Sequence, residues 1–312
     1  MRAIGVYEFG GPDALALVEL PEPEVGPGEL GIRVHAATVN PTDTGLRSGA
    51  RARQLRDVPP PHVPGMEAAG VLERVGAGVS TDLEPGDHVM AIIGPRGAHG
   101  AYSEHIAVPA ESVVRTPAGA SDAEAATLPM NGLTARYALD LLELEPGQRI
   151  GVTGSAGTLG GYVVQLAKAG GLEVVADAAA ADEELVRSLG ADTIVARGAD
   201  VADRIREVAS GGVDGLVDAA VLNEAVAPAV RDGGQVITVR GFEGKADRGV
   251  TLRPVWVREY LRRQDKLDEL REQVERGELT LRVARVLPAE QAAEAHRLLE
   301  AGGTRGRLVL EF

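Results

Sequence analysis

Residues Arg149–Thr153 (RIGVT) form a short apolar run that enters Gly154-Ser155-Ala156-Gly157-Thr158-Leu159-Gly160-Gly161 without a break. A helical segment follows at once, with Val163, Val164, Leu166 and Ala167 as its apolar stripe. Strand, spaced glycines and helix in that order leave few folds open. Glycine allows a tight turn and lets a pyrophosphate approach the backbone closely. The helix that begins there offers unpaired N–H groups and the positive end of its dipole. The spacing is GxxGxxG rather than GxGxxG. It makes Gly154, Ser155, Ala156, Gly157, Thr158, Leu159 and Gly160 candidate dinucleotide-binding residues.

The surroundings fit that reading. After Ser121 strands alternate with helices. Strands are expected at Arg149–Thr153, Leu172–Ala176, Thr193–Val195, Gly215–Asp218 and Gly234–Val239. Helices are expected at about Thr158–Ala169, Asp182–Leu189, Val201–Ala209 and Asn223–Val230, after two Ala-rich ones opened by Ser121-Asp122-Ala123-Glu124 and by Leu133–Leu144. Alternation of this kind builds a doubly wound parallel sheet. The first third differs. Short β runs (Gly31–Ala36, Gly70–Val75, His88–Ile93, Tyr102–Val108) are separated by Gly-Pro turns, which suggests a barrel-like all-β module. Beyond Gly241 a strand at Val250–Val257 carries Pro254 and is expected at a sheet edge, because proline cannot donate to a ladder. A charged helix over Arg258–Arg276 and a last strand–helix–strand (Leu281–Leu287, Ala289–Glu300, Arg307–Glu311) complete the chain. The expected domains are 1–120 with 278–312, and 121–277.

Composition excludes several classes. The 312 residues contain no cysteine, so disulfides, thiolate metal sites and a Cys nucleophile are absent. The net charge of −14 repels nucleic acid. No run is as apolar as a membrane helix requires, and MRAIGVYEFGG lacks the apolar core of a signal peptide. A soluble cytoplasmic protein is expected.

The residues at the end of the next strand sort the two nicotinamide nucleotides. Here the chain reads Val174-Val175-Ala176-Asp177-Ala178, then Asp182-Glu183-Glu184, with Arg187 the nearest base. Asp177 would suit a ribose diol and repel a 2′-phosphate. On electrostatics this favours NADH, unless Arg197 or another distant arginine folds over. A carboxylate that merely ends a strand is the alternative.

The chain resembles the medium-chain dehydrogenase/reductase superfamily, in particular its zinc-free quinone oxidoreductase (zeta-crystallin-like) branch. The resemblance rests on Ala3–Gly10, Val34–Asp43, Pro64–Val71, Gly76–Val89, Gly154–Gly161 and Ala292–Leu310, and it covers nearly the whole chain. It implies an α/β protein: a GroES-like β-barrel catalytic domain, a Rossmann cofactor domain and a cleft between them. It implies NADPH as cofactor and hydride transfer to a quinone or an activated C=C bond. An enoyl-thioester or pathway-specific ene-reductase is one alternative. A dinucleotide-binding protein with little activity is another. Zinc-dependent relatives hold their metal at positions that read Asn40, Met66 and about Met130 here, so no metal is expected.

By the same resemblance Asn40 and Thr134 position the nicotinamide, and Val239, Gly241 and Phe242 line the cofactor. Arg197 falls near the adenosine end, and the Arg305–Arg307 turn reaches the phosphates. Arg51, Met66, Met130, Asn131 and Trp256 are expected to line the substrate pocket, with core filling the alternative for Trp256 and Phe242. Arg51 stands where many relatives carry a tyrosine. A guanidinium stays protonated and is a poor acid, so no residue is an obligatory proton donor. Arg47, Arg51, Arg53 and Arg56 form a basic stretch that is expected to attract an anionic substrate or else to be a solvated loop. The six histidines show no metal-ligand spacing along the chain. Val255, Trp256 and Val257 on the edge strand are expected to pair across a two-fold axis in a homodimer.

Overall fold

A computed structural model describes residues 1–312. It divides into two compact units. One comprises Met1–Met130, Leu261–Glu275 and Leu281–Phe312, and the other Asn131–Tyr260 with Arg276–Thr280.

The first unit is built on an antiparallel core. Its main sheet runs Val283–Pro288, Arg307–Glu311, Glu29–Thr38, Glu67–Val75, His88–Ile92 and Val113–Arg115 in spatial order, with His105–Pro109 also paired to Glu29–Thr38. Leu30, Ile32, Val34, Leu72, Val89, Ile106 and Leu308 close over one apolar interior. The expected β runs are all present: two extend further, as Glu29–Thr38 and Glu67–Val75, and two are shorter, as His88–Ile92 and His105–Pro109, with Tyr102 lying before the last. The C-terminal strand Arg307–Glu311 pairs with Glu29–Thr38, so the tail returns to the first module.

The second unit holds a seven-stranded sheet in the order Thr193–Ala196, Glu173–Ala178, Arg149–Thr153, Val213–Asp218, Val230–Thr238, Thr251–Pro254 and Gly244–Lys245. Every pairing but the last is parallel. Central strands are covered on both faces and read as continuous apolar runs; Ile150, Val152, Val174, Leu216, Val217, Val236 and Ile237 are all buried. The helix Thr158–Ala169 occupies the residues expected and buries Gly160–Ala167.

The structure differs from the expectations in several places. The compact units group Ser121–Met130 and Leu261–Glu275 with the first unit and 278–280 with the second. There Ser112 Oγ donates to Leu261 O at 2.6 Å, and Gln264 Nε2 to Ala110 O and Val113 O at 3.2 and 2.7 Å. Glu275 accepts Ala118 N–H at 2.9 Å. The strand with Pro254 is also not an edge: it spans Thr251–Pro254 and is flanked on both sides. Proline is tolerated because Gly244–Lys245 pairs only with Thr251 and Leu252 and stops short of it. Val255, Trp256 and Val257 therefore lie outside the strand that was expected to carry a dimer. Finally, the charged helix is confined to Gln264–Glu275. Upstream of it Val257–Tyr260 is a 3₁₀ turn. Tyr260 is turned aside by stacking on Tyr137 at 4.2 Å and by donating to Asp140 Oδ2 at 2.7 Å. Asn223–Ala229 is likewise 3₁₀, with Pro228 removing a helical donor.

Candidate active site

In the second unit the glycine loop is built from backbone. Gly154 has φ +70°, and a Cβ there would stand 3.0 Å from the Ala219–Ala220 backbone. Gly157 N–H donates to Gly154 O at 2.9 Å, closing the turn. A Cβ on Gly160 would meet Gly154 O at 2.3 Å, so the new helix packs on the loop only as glycine. Gly157 is the N-cap and brings no side chain to the first-turn N–H groups. Ser155 Oγ donates to Val152 O at 2.9 Å. Asp218, fully buried, accepts Thr153 Oγ1 at 2.7 Å, Ala220 N at 3.2 Å and Asn223 N at 2.7 Å, pinning the neighbouring strand end. The loop is thus a tight backbone turn at the start of a helix. A glycine turn that leads into a helix N-terminus fits a pyrophosphate.

Asp177 has a partner that sequence did not suggest. Its Oδ1 accepts Ser155 N–H at 3.1 Å, and the residue is only 6% exposed. Burial raises its pKa, while the Ser155 and Gly154 N–H groups and the Arg197 guanidinium pull it back. The strand runs one residue further, to Ala178. Asp177 therefore holds the loop, and Arg197, exposed, offsets its charge.

The turn Val239–Phe242 lies at the end of the strand Val230–Thr238, with Arg240 and Gly241 at φ 59° and 81°. Thr238 Oγ1 donates to Phe242 O. Trp256 covers Gly241 so closely that a Cβ would meet its ring at 2.6 Å. The Arg258 guanidinium lies over the Trp256 ring, 4.8 Å from its centroid. Asn131 and Thr134 share the helix Pro129–Leu142, each 7% exposed. The Asn131 Nδ2 is buried and has no hydrogen-bond partner in the protein.

In the first unit a buried polar cluster gathers around Glu67, which is 0% exposed. Glu67 Oε1 accepts Arg307 Nη2 at 2.5 Å and Asn40 Nδ2 at 3.0 Å, together with Thr38 Oγ1. Glu67 Oε2 accepts Met130 N–H at 2.7 Å. Arg307 Nη2 also reaches Asn40 Oδ1 at 2.8 Å and the Thr38 hydroxyl at 2.5 Å. Asn40 is therefore engaged at both ends of its amide. Beside it Asp43 accepts Asn40 N–H at 2.8 Å, Gly65 N–H at 3.0 Å and the Tyr102 hydroxyl at 3.4 Å. Burial pushes the Asp43 carboxyl up to about 7, against those two N–H groups and Arg307. The Tyr102 hydroxyl also lies 3.2 Å from His296 Nε2. Burial and nearby Arg47 push His296 down to about 3.

Sequence reasoning missed Glu67, Thr38 and the inward course of Arg307. One signal was available: Glu67 is a lone acid in the small, apolar run Gly65–Val71. The two arginines of the 305–307 turn separate, with Arg305 exposed and Arg307 buried. The basic stretch separates too. Arg47 is buried against Glu300, Arg51 is half-buried, and Arg53 and Arg56 are exposed.

Against this geometry the comparisons are specific. A 2-haloacrylate reductase from a Burkholderia species is 31% identical over 336 residues, covering 99% of this chain and 98% of the relative. The chain belongs to the medium-chain dehydrogenase/reductase superfamily. The alcohol dehydrogenase GroES-like domain matches residues 26–118, and the zinc-binding dehydrogenase family matches 189–310. A chloroplastic quinone oxidoreductase from Triphysaria versicolor is 36% identical over 202 residues, 62% of this chain. The chain spans 60% of that relative's length. A solved mycobacterial structure in complex with NADPH superposes with a TM-score of 0.87 at 30% identity, covering 100% of both chains. The chain is an oxidoreductase of this superfamily.

The superfamily includes zinc enzymes, so the donor set matters. Met66 and Met130 offer thioethers, and the Asn40 amide is occupied on both sides. These groups do not fit a catalytic zinc, which takes thiolate, imidazole or carboxylate donors.

Proposed function

We propose that the protein transfers a hydride from NADPH to a quinone or to a C=C bond conjugated with a carbonyl. The observation that carries this is the Gly154–Gly160 cradle. A Cβ at Gly154 or Gly160 would press on backbone at 3.0 and 2.3 Å, and the N-cap of its helix is Gly157. NADPH supplies the hydride when bound. The loop amides would hold the pyrophosphate. The unpartnered, buried Asn131 Nδ2 suits a carbonyl oxygen of the nicotinamide amide or of the acceptor. Thr134, one turn along the helix, would fix the ring. Within the first unit Asn40 is locked by Glu67 and Arg307, so its amide is not a mobile donor. Catalysis would rest on orientation in a site that excludes water. The proton that completes reduction would come from solvent, since Arg51 cannot release one at neutral pH.

Three finer points belong to this reading. NADPH is favoured over NADH because the Asp177 carboxylate is engaged by Ser155 N–H and offset by Arg197. The solved relative bound to NADPH supports the same choice. Turnover would not need a metal at the Asn40, Met66 and Met130 positions. Self-association as a homodimer is also part of it, through the short outer strand Gly244–Lys245 rather than Val255–Val257.

The test is a fluorescence titration with NADPH and with NADH, followed by turnover on a benzoquinone, an enone and an enoyl thioester. Tighter NADPH binding and turnover of the quinone or enone is expected. Binding of neither nucleotide would overturn the proposal, and NADH preference would return Asp177 to the ribose. Chelation should leave turnover unchanged. Light scattering should give twice the monomer mass.

A further inference from the structure

We propose that His35, His88 and Asp122 form a binding site for a divalent transition-metal ion of the zinc type. Chain distance hides this site. The three residues come from the strand Glu29–Thr38, the strand His88–Ile92 and the first position of the helix Asp122–Ala125. In space they converge. His35 Nδ1 lies 2.6 Å from Asp122 Oδ2, and His88 Nδ1 lies 2.8 Å from Asp122 Oδ1. One donor atom from each residue falls within 4.8 Å of the others. The two imidazoles meet edge-on at 6.0 Å.

Three local devices produce this arrangement. The register between Glu29–Thr38 and Glu67–Val75 slips between Val34 and Ala36, so His35 is a bulge residue and is re-aimed. The strand lying between the two histidine strands contributes Gly70 at this level. A Cβ there would meet Arg33 O at 2.0 Å and His35 N at 2.9 Å, so the bulge requires glycine. Asp122 is held by the capping box beside it. Ser121 N–H donates to Glu124 Oε2 at 2.9 Å, and Glu124 N–H to Ser121 Oγ at 3.3 Å.

The chemistry favours a cation. Two neutral imidazoles and one carboxylate carry a net negative charge and are a zinc-type ligand set with a fourth position open. Tetrahedral zinc separates such donors by about 3.3 Å at its usual bond lengths. The pairs at 2.6 and 2.8 Å therefore open by about 0.7 and 0.5 Å, with both rings in the Nε2–H tautomer. Side-chain exposures of 30%, 57% and 14% for His35, His88 and Asp122 leave a path from solvent. None of the three is a position where the zinc-dependent relatives hold their metal.

The experiment uses the full chain, stripped with chelator and dialysed, with zinc chloride and cobalt chloride as probes. Equilibrium dialysis should give one zinc per chain, and cobalt should develop the visible absorption of a low-coordinate nitrogen–oxygen site. His88→Ala and Asp122→Asn should each weaken binding about tenfold or more. His105→Ala should leave it unchanged, although His105 forms the other histidine–carboxylate pair, with Glu73 at 3.4 Å. Should a variant misfold, the wild type alone decides. Zinc must shift the ring resonances of two of the six histidines. No binding, equal binding by the His88 and Asp122 variants, or shifts at other histidines would overturn the proposal.

Discussion

The Gly154–Gly161 loop satisfies its own polar groups almost locally, by Gly157 N–H on Gly154 O, Ser155 Oγ on Val152 O, and one longer reach of 22 residues to Asp177. The Glu67 cluster of the other unit does the reverse. Its carboxylate is met by Asn40 at 27 residues, Thr38 at 29, Met130 at 63 and Arg307 at 240. The loop is made of backbone, and any added atom collides with it. The cluster is made of side chains, and any removed atom leaves a buried charge alone. Tolerance to substitution should therefore differ in kind: steric and confined to binding in one region, electrostatic and global in the other.

The harshest way to break that contrast is Arg307→Met. Removing one partner of a buried ion pair costs about 3–5 kcal/mol, and chemical denaturation should show a loss of this size. Glu67→Gln combined with Arg307→Met should recover much of it. A loss below about 1 kcal/mol, the scale of a surface pair, would mean the cluster is solvated and the contrast false.

Gly160→Val probes the other side. NADPH affinity should fall about a hundredfold, which is ~2.7 kcal/mol of binding, because the helix must retreat from Gly154 O. Fluorescence titration reads it. Retained affinity would show that the loop is not the phosphate cradle.

The neighbours of the cluster sharpen the electrostatic half through pH. Asp43 has its pKa raised to about 7, so the folded chain holds a proton that the unfolded chain gives up. Its contribution falls as pH rises from about 4 to 7. His296 has its pKa lowered to about 3, so its contribution grows as pH rises from about 3 to 6.5. The two slopes oppose each other across the shared window. In His296→Gln only the Asp43 slope remains, and Tm should fall from pH 4 to pH 7 more steeply than in the parent. Identical profiles would mean that His296 carries no such slope, and a Tm that does not fall from pH 4 to pH 7 in the variant would remove the Asp43 contribution.

The smallest effect belongs to the exposed part of the basic stretch. Arg53→Ala should lower kcat/KM for anionic acceptors about threefold at low salt and leave neutral acceptors unchanged, as rim charges do. The same change at Arg47 should instead destabilise the chain, because Arg47 is buried against Glu300.

The difference between the regions also explains what could be read in advance. The strand Arg149–Thr153, the helix Thr158–Ala169 and the strand Arg307–Glu311 coincide with their expected bounds, because apolar period and glycine position are local properties. Pro254 misled, since its effect depends on how far Gly244–Lys245 extends beside it. Asp177 was legible as an acid at a strand end, but its Ser155 partner was not, because a side chain's direction is set by the packed loop. The histidines gave no spacing signal. His35 and Asp122 are 87 residues apart, and a bulge brings them together.

The sequence by itself determined the two kinds of module, their order, and the backbone cradle for a dinucleotide. Those follow from interactions within a few residues: hydrophobic period, glycine freedom and helix capping. Only the tertiary structure decided which charges are spent on structure and which remain for ligands. Asp177 holds a loop, Arg307 neutralises Glu67, and Arg47 is buried while Arg53 is exposed. A charge's role depends on its desolvation and its partners, and both come from chain segments that meet only when the fold closes.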